Sequence, residues 1–179
     1  MARPQAFDTD DLIRDATIVF WEKGYRSTTI RDLETATGIA ESSIYHAFGG
    51  KHRLFEAVLD RYRGRSRQFL RRMEDHKSAL EGLRFYVMGI AQALSADASG
   101  RGCLFTNTAI ELAAHDEQIR EELRQVYADT RAAFGRVITR GQQAGEITRR
   151  MNPEYLSRFL QQSMEGLRVL AKSKPDPGL

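Results

Sequence analysis

Between residues 28 and 48 the chain reads Thr28-Thr29-Ile30-Arg31-Asp32-Leu33-Glu34-Thr35-Ala36-Thr37-Gly38-Ile39-Ala40-Glu41-Ser42-Ser43-Ile44-Tyr45-His46-Ala47-Phe48. Ile30, Leu33, Ala36, Ile39, Ile44 and Phe48 recur at helical spacing and are expected to fill a small core. Turning that set inward leaves Arg31, Ser42, Ser43, Tyr45 and His46 outward. Short hydroxyls and a phenol suit phosphate oxygens and base edges, because they donate and accept without crowding a groove. Two short helices joined by a glycine turn form a helix-turn-helix pattern, whose second helix enters the major groove of DNA. The helix starts near Thr29, Glu41 and Lys51 also offer backbone N–H groups to phosphates. Short helix pairs are common in ordinary bundles, so periodicity alone does not decide between a DNA reader and a structural pair.

No competing chemistry is visible. There is no His-Glu-x-x-His, phosphate loop or Ser-centred elbow, so no enzyme activity and no cofactor is expected. His76 and His115 have no Cys, Asp or Glu at convincing ligand spacing, so no metal is expected either. One cysteine, Cys103, excludes an internal disulfide framework and a multi-Cys zinc site. It follows Arg101 and Gly102 at an expected helix start, where a cation and the helix N-terminus favour a thiolate. A small buried thiol packing in a bundle is the competing reading.

The elements that must position these residues are all helical. The 179 residues hold prolines only at Pro4, Pro153, Pro175 and Pro177, and valine occurs six times. Proline breaks helix interiors and β-branched residues favour strands, so this composition predicts an all-α fold. Apolar runs such as Ile18 to Trp21 are too short for a membrane span or a signal-peptide core, which predicts a cytoplasmic protein with no membrane partner. Helices are expected over residues 9–23, 30–37, 41–48 and 51–74, with Thr29 and Asp32 as a capping pair and Gly38 closing the second. A fifth, opened by Ser78 and Glu81, is apolar on so much of its circumference that it is expected to be central. Residues 103–113, a long helix capped by Asp116 and ended by Gly145, and a last helix begun by Asn152-Pro153 complete the chain. The tail from Pro175 is expected to fray.

The stretch from Phe20 to Leu59 carries Gly24-Tyr25, Thr28 to Leu33, Gly38-Ile39, Ser43 to His46, Phe48 and Lys51. In these residues and their spacing it closely resembles the DNA-binding domain of TetR-family transcriptional repressors. The resemblance implies a three-helix DNA-binding domain over residues 1–50 and a helical ligand-binding and dimerisation bundle over 51–179. It further implies a homodimer on a near-palindromic double-stranded operator, released by a small-molecule effector or a redox signal. By the same resemblance Thr29 and Tyr45 touch the DNA backbone, Lys51 meets phosphate, and Ser42, Ser43 and His46 lie nearest the bases; Thr28 and the outward Arg31 are expected beside them on the DNA side. Two residues depart from the family pattern: Ala40 stands where a Ser N-cap is usual, and Ala47 where an aromatic is usual. The stretch Gly102 to Ala109 is similar to a branch of the family in which some members sense electrophiles or oxidants through cysteine.

In the second domain Phe85, Met88, Tyr127 and Phe134 are expected in the core, some of them on a cavity wall. Cys103, Asn107, Glu111 and Gln162 are candidates to orient a ligand. Dimerisation is expected around Phe159, Met164, Gly166 and Leu167, on the last helix. The arginines from Arg61 to Arg72 are expected to form a solvated face. The net charge of +3 hides a slightly acidic front: residues 1–55 hold seven Lys/Arg against eight Asp/Glu. DNA affinity is therefore expected to rest on a few placed contacts.

Overall fold

The structure, a computed structural model, describes residues 7–173; the tail from Pro175 lies outside the described residues. Among the described residues all regular structure is helical: α1 (Thr9–Lys23), α2 (Ile30–Thr37), α3 (Glu41–Phe48), α4 (Lys51–Glu74), α5 (Ala79–Ala96), α6 (Leu104–Leu112), α7 (Glu117–Ala144) and α8 (Pro153–Lys172). Among them no helix is long and apolar enough to cross a membrane. By packing, the chain divides into Met1–Gly64 and Arg65–Leu179. The division falls within α4 rather than at the Gly50–Lys51 turn, because Leu54, Phe55, Val58 and Leu59 on the first half of α4 are buried with the core of the first unit.

In the first unit Leu12, Ala16, Phe20, Leu33, Ile44, Leu54, Phe55 and Val58 are almost wholly buried. Phe20 meets Phe55 edge-on at 4.9 Å between ring centroids. Ile30, Ile39 and Phe48 are only half-buried, and Ala36 is exposed rather than part of the core. The inward arc of so short a helix holds few residues. Thr37, four beyond Leu33, takes the side expected for Ala36 and donates its hydroxyl to the Leu33 carbonyl.

The local signals at the helix ends are realised in detail. Thr29 accepts from the Asp32 N–H at 3.1 Å while the Asp32 carboxylate accepts from the Thr29 N–H at 2.8 Å, a reciprocal capping box. Lys23 at the end of α1 reaches Asp32 at 2.6 Å and ties the two helices. Ala40 begins α3 with no side-chain cap, leaving that helix start to its packing.

In the second unit Leu70, Met73, Ala79, Tyr86, Ala133, Phe134, Val137, Ile138 and Met164 form the core. The expectation that α5 is covered on several sides fails: only Ala79, Gly82 and Tyr86 are buried on it, and Leu80 and Met88 are exposed. The reason lies in its glycines. A Cβ at Gly82 would stand 2.4 Å from the Met73 carbonyl, and one at Gly89 would stand 2.6 Å from the Phe69 ring. The helix approaches its neighbours along its smallest residues, a face that a search for large apolar side chains passes over. Its start is capped by Ser78, which accepts from the Glu81 N–H and donates to Glu146 at 2.6 Å. Glu146 also accepts from the Leu80 N–H, so a residue from beyond α7 completes this helix start. Arg140 of α7 closes the other side of the turn by donating to the carbonyls of Glu74 and His76.

The Lys23 ammonium and then the Thr29 N–H hold the Asp32 carboxyl well below the usual carboxylate range. A lowered folded-state value gives stability that is present above the unfolded value and is lost as pH falls through about 4. Asp32→Asn is therefore expected to lower the melting temperature at pH 7 and to flatten its decline below about pH 4. Thermal melts of both proteins across that range check this. An identical acid decline in the variant would show that other carboxylates carry it.

Candidate nucleic-acid interface

The first unit presents α3 on a short frame. Ile44 is fully buried, and Leu33 beneath it on α2 is equally so. That anchorage turns Ser42, Tyr45 and His46 to solvent, with Ser43 half-exposed beside them. Tyr45 is 49% exposed, too much for a core residue, and its ring rests near Gly50, where a Cβ would come within 3.2 Å of it. Glu41 and Arg31 are exposed on the same pair of helices. The face therefore offers two short hydroxyls, a phenol, an imidazole, one guanidinium and one carboxylate, a set of directional hydrogen-bonding groups rather than a block of positive charge.

Three expected DNA-side residues sit differently. Thr28 is 1% exposed and donates its hydroxyl to the Gly24 carbonyl at 2.6 Å, so its side chain shapes the α1–α2 turn and faces no ligand. Thr29 is exposed, but its hydroxyl both accepts from the Asp32 N–H and donates to the Asp32 carboxylate. Lys51 donates to the carbonyls of Tyr25 at 3.0 Å and Thr28 at 2.8 Å instead of standing free for phosphate. A polar side chain near a helix start looks the same in sequence whether it caps, braces or binds. The arginine run of α4 is partly engaged within the second unit, where Arg67 pairs with Asp129 at 3.1 Å and Arg72 lies over the Phe85 ring.

The expected ligand residues of the second unit differ in burial, and Tyr127, half-buried, lies with Cys103 and Thr106. Phe134 is wholly buried core, Phe85 is half-buried between Phe69 and His76, and Met88 is exposed. Asn107 is structural: it donates to the Arg101 carbonyl and accepts from Lys172. Glu111 is half-exposed, and Gln162 is exposed and cannot line an interior. Its neighbour Gln161 is the buried one, donating to the Tyr127 carbonyl at 2.9 Å. Cys103 is 7% exposed at the start of α6.

Around Cys103 lies a polar network that the sequence did not disclose. Thr106 donates to Glu165 at 2.7 Å, Glu165 pairs with Arg168, and Arg168 donates to the Tyr86 hydroxyl at 3.2 Å. Burial pushes the Tyr86 and Tyr127 hydroxyls up. Arg168 is raised although its burial works the other way, because Cys103, Tyr86 and Glu165 act on it electrostatically. Glu165 and Arg168 are three apart on α8, a spacing that in sequence reads as an ordinary surface pair. Only the fold shows that this pair points inward.

On the opposite side of α8, Tyr155, Phe159, Val169 and Leu170 are exposed large apolar residues, each at least 46% accessible. They share one stripe with Gln162 and Gly166. Of the expected dimer residues, Phe159 and Gly166 lie on this stripe. Met164 is buried in the core, and Leu167, half-buried, packs against it. Beside the stripe runs a shallow groove of about 360 Å³, floored by Ala128, Ala132 and Gly135 of α7 and edged by Pro153 and Ser157 of α8.

Comparison with known proteins accounts for both units. The bacterial regulatory proteins of the tetR family match residues 12–58, and the tetracyclin repressor-like C-terminal domain matches residues 79–178. The HTH-type transcriptional repressor ComR of Escherichia coli K12 is 29% identical over 172 residues, 95% of this chain and 82% of that protein. The HTH-type transcriptional regulator YezE of Bacillus subtilis 168 is 30% identical over 178 residues, 98% of this chain and 92% of its own length. A cysteine mutant of the TetR-family regulator CifR, solved in complex with 26-bp double-strand operator DNA, superposes with a TM-score of 0.85. It is 30% identical, and the match covers 97% of this chain and 92% of that one. With more than half of its length matched by the C-terminal family domain and the helix-turn-helix matched beside it, the chain belongs to the TetR family of transcriptional regulators, not to an enzyme family.

Proposed function

We propose that this chain is a cytoplasmic, dimeric repressor that binds a near-palindromic operator through α3 of each copy and releases it when a small molecule reaches the second unit. The exposed polar face of α3, held outward by the buried Ile44, carries this reading. The CifR complex with operator DNA supports it from a relative of the same fold. In this reading Ser42, Ser43 and His46 address bases, Tyr45 and Arg31 the backbone, and Thr29 the nearest phosphate through its N-terminal position on α2. DNA reading belongs to residues 1–50, and ligand binding and pairing to 51–179.

Pairing is supported by the α8 stripe. A row of exposed aromatic and aliphatic residues along one side of α8 is apolar surface of the kind that a second copy, related by a two-fold axis, would cover. The effector's polar group would meet the network of Thr106, Glu165, Arg168 and Tyr86, since a largely apolar bundle interior orients a ligand through few polar groups. A redox signal is the second reading, favoured by Cys103 lying within electrostatic reach of the Arg168 guanidinium.

Three outcomes are expected. In a gel-shift the chain retards the duplex upstream of its own coding sequence, and the log–log salt slope stays shallower than about −8, because each neutralised phosphate contributes about −0.9. No retardation of any upstream fragment at low salt would overturn the repressor reading. In sedimentation at micromolar concentration the wild-type chain is a dimer and Phe159→Asp a monomer that no longer retards DNA; a monomeric wild type would remove the two-half-site arrangement. Hydroperoxide or maleimide is expected to release neither the wild type nor Cys103→Ser from DNA, since the one thiol in the sequence is 7% exposed. Release of the wild type but not of the variant would make the thiol the trigger instead.

A further inference from the structure

We propose that Glu41, the carboxylate that opens α3, is a specificity-determining residue that accepts a hydrogen bond from the amino group of one cytosine in each half-site. The inference rests on the DNA-binding reading above and adds to it a base and the residue that reads it.

The placement comes from the helix itself. Glu41 is the first residue of α3 and its only acidic one. It is exposed, as are Ser42, Tyr45 and His46, whereas Ile44 is wholly buried. With about 3.6 residues per turn these four share one arc, and Glu41 stands at its N-terminal end, one turn before Tyr45. A recognition helix meets base edges through its N-terminal residues, so Glu41 holds a base-facing position. Several carboxylates of the first unit are committed to other partners. Asp11 and Asp15 pair with Arg14, Asp32 with Lys23 and Asp10 with Arg61, and Asp8 caps α1. Glu41 differs: among the described residues its carboxylate has neither an ion pair nor a hydrogen bond, and the start of α3 has no side-chain cap.

An uncommitted carboxylate on the face that enters the groove is costly unless a donor meets it, because phosphates of the same sign stand on either side. The major-groove edge offers two donors, the amino groups of cytosine and adenine. Guanine N7 and O6 and thymine O4 are acceptors and repel a carboxylate. The adenine amino group lies between two such acceptors, its own N7 and the thymine O4 across the pair. The cytosine amino group has an acceptor on one side only, the guanine O6. Cytosine is therefore the base that a carboxylate reads with least repulsion. The hydroxyls of Ser42 and Ser43 both donate and accept, so they adapt to several bases. An ionised carboxylate only accepts, which makes Glu41 the stricter reader. The positive end of the α3 dipole also favours an acid at this position, but that role alone predicts no base preference.

The test measures gel-shift affinities of the wild type, Glu41→Gln and Glu41→Ala. The duplexes are the fragment upstream of the chain's own gene, a scrambled sequence, and upstream fragments in which each C·G pair of the footprinted site is replaced in turn by T·A. Thymine puts an acceptor where cytosine has its amino group. At one symmetry-related pair of positions the replacement is expected to weaken the wild type by about tenfold or more and both variants by less than about twofold. Both variants are also expected to bind the scrambled duplex several-fold more tightly, since a repelling charge has gone. Variants with the wild type's sensitivity at every position overturn the proposal, because the carboxylate would then only repel phosphate. A lowered melting temperature with all affinities unchanged overturns it too, since Glu41 would then serve the helix start alone. The wild type decides the case by itself if neither variant folds: a chain weakened by no C·G replacement reads no cytosine, and the proposal falls. A wild type that retards no fragment overturns the repressor reading and this inference with it. A wild type that binds, beside variants of unchanged base preference, overturns this inference alone.

Discussion

The helix-turn-helix depends on a constraint of length. α2 and α3 have eight residues each, well under what an isolated helix needs to persist in water. Both exist because Leu33 and Ile44 are withdrawn completely from solvent and because the ends of α2 are chemically closed. The reciprocal bonds of Thr29 and Asp32, the αL glycine at Gly38 and the Lys23–Asp32 pair all join residues no more than nine apart in the chain. α3 lacks such closure at its start and relies on Ile44 alone for its anchorage. The exposed face of α3 is therefore only as well oriented as the small core and the turns beneath it.

The second unit solves the same problem at its helix ends from a distance. The turn between α4 and α5 is closed by Arg140 on α7 and Glu146 beyond it, so two carbonyls and two donors find partners more than sixty residues away. Inside, the Glu165–Arg168 pair is tolerable in a largely apolar bundle because Thr106 and Tyr86 share its hydrogen-bonding capacity. Replacing one member would strand the hydrogen-bonding groups of the others. α8 carries both roles on one cylinder, with Gln161 and Met164 inward and Phe159 and Gly166 outward.

How much of this was legible follows from the range of each signal. Helix bounds, the Thr29 cap and the Gly38 exit are local, and residues within four positions of one another dictate them. The bounds of α1 to α4 accordingly match expectation. Thr28 misled because a buried hydroxyl bonded to the Gly24 carbonyl and an exposed one awaiting phosphate share the same sequence context. α5 misled because it packs through Gly82 and Gly89, where the absence of a side chain is the contact. Gln162 is exposed while Gln161 is buried, and Met164 lies in the core, because on a helix apolar on two sides periodicity does not say which stripe meets the core. The Glu165–Arg168 network was illegible because its meaning comes from α5 and α6.

The acidic balance of the front of the chain sharpens once the pairs are known. Arg14 is held by Asp11 and Asp15, Lys23 by Asp32, Arg61 by Asp10, and Lys51 by carbonyls. Arg26, Arg31 and Arg53 are exposed beside these pairs, a small set for counterion release, which supplies most sequence-independent affinity. What the face retains is directional: hydroxyls, a phenol and an imidazole that gain only when a matching edge stands opposite. Weak general attraction combined with rigid placement is how a slightly acidic reading head can prefer one short site over the rest of a genome. It also makes the placement of α3, more than its charge, the quantity on which binding turns.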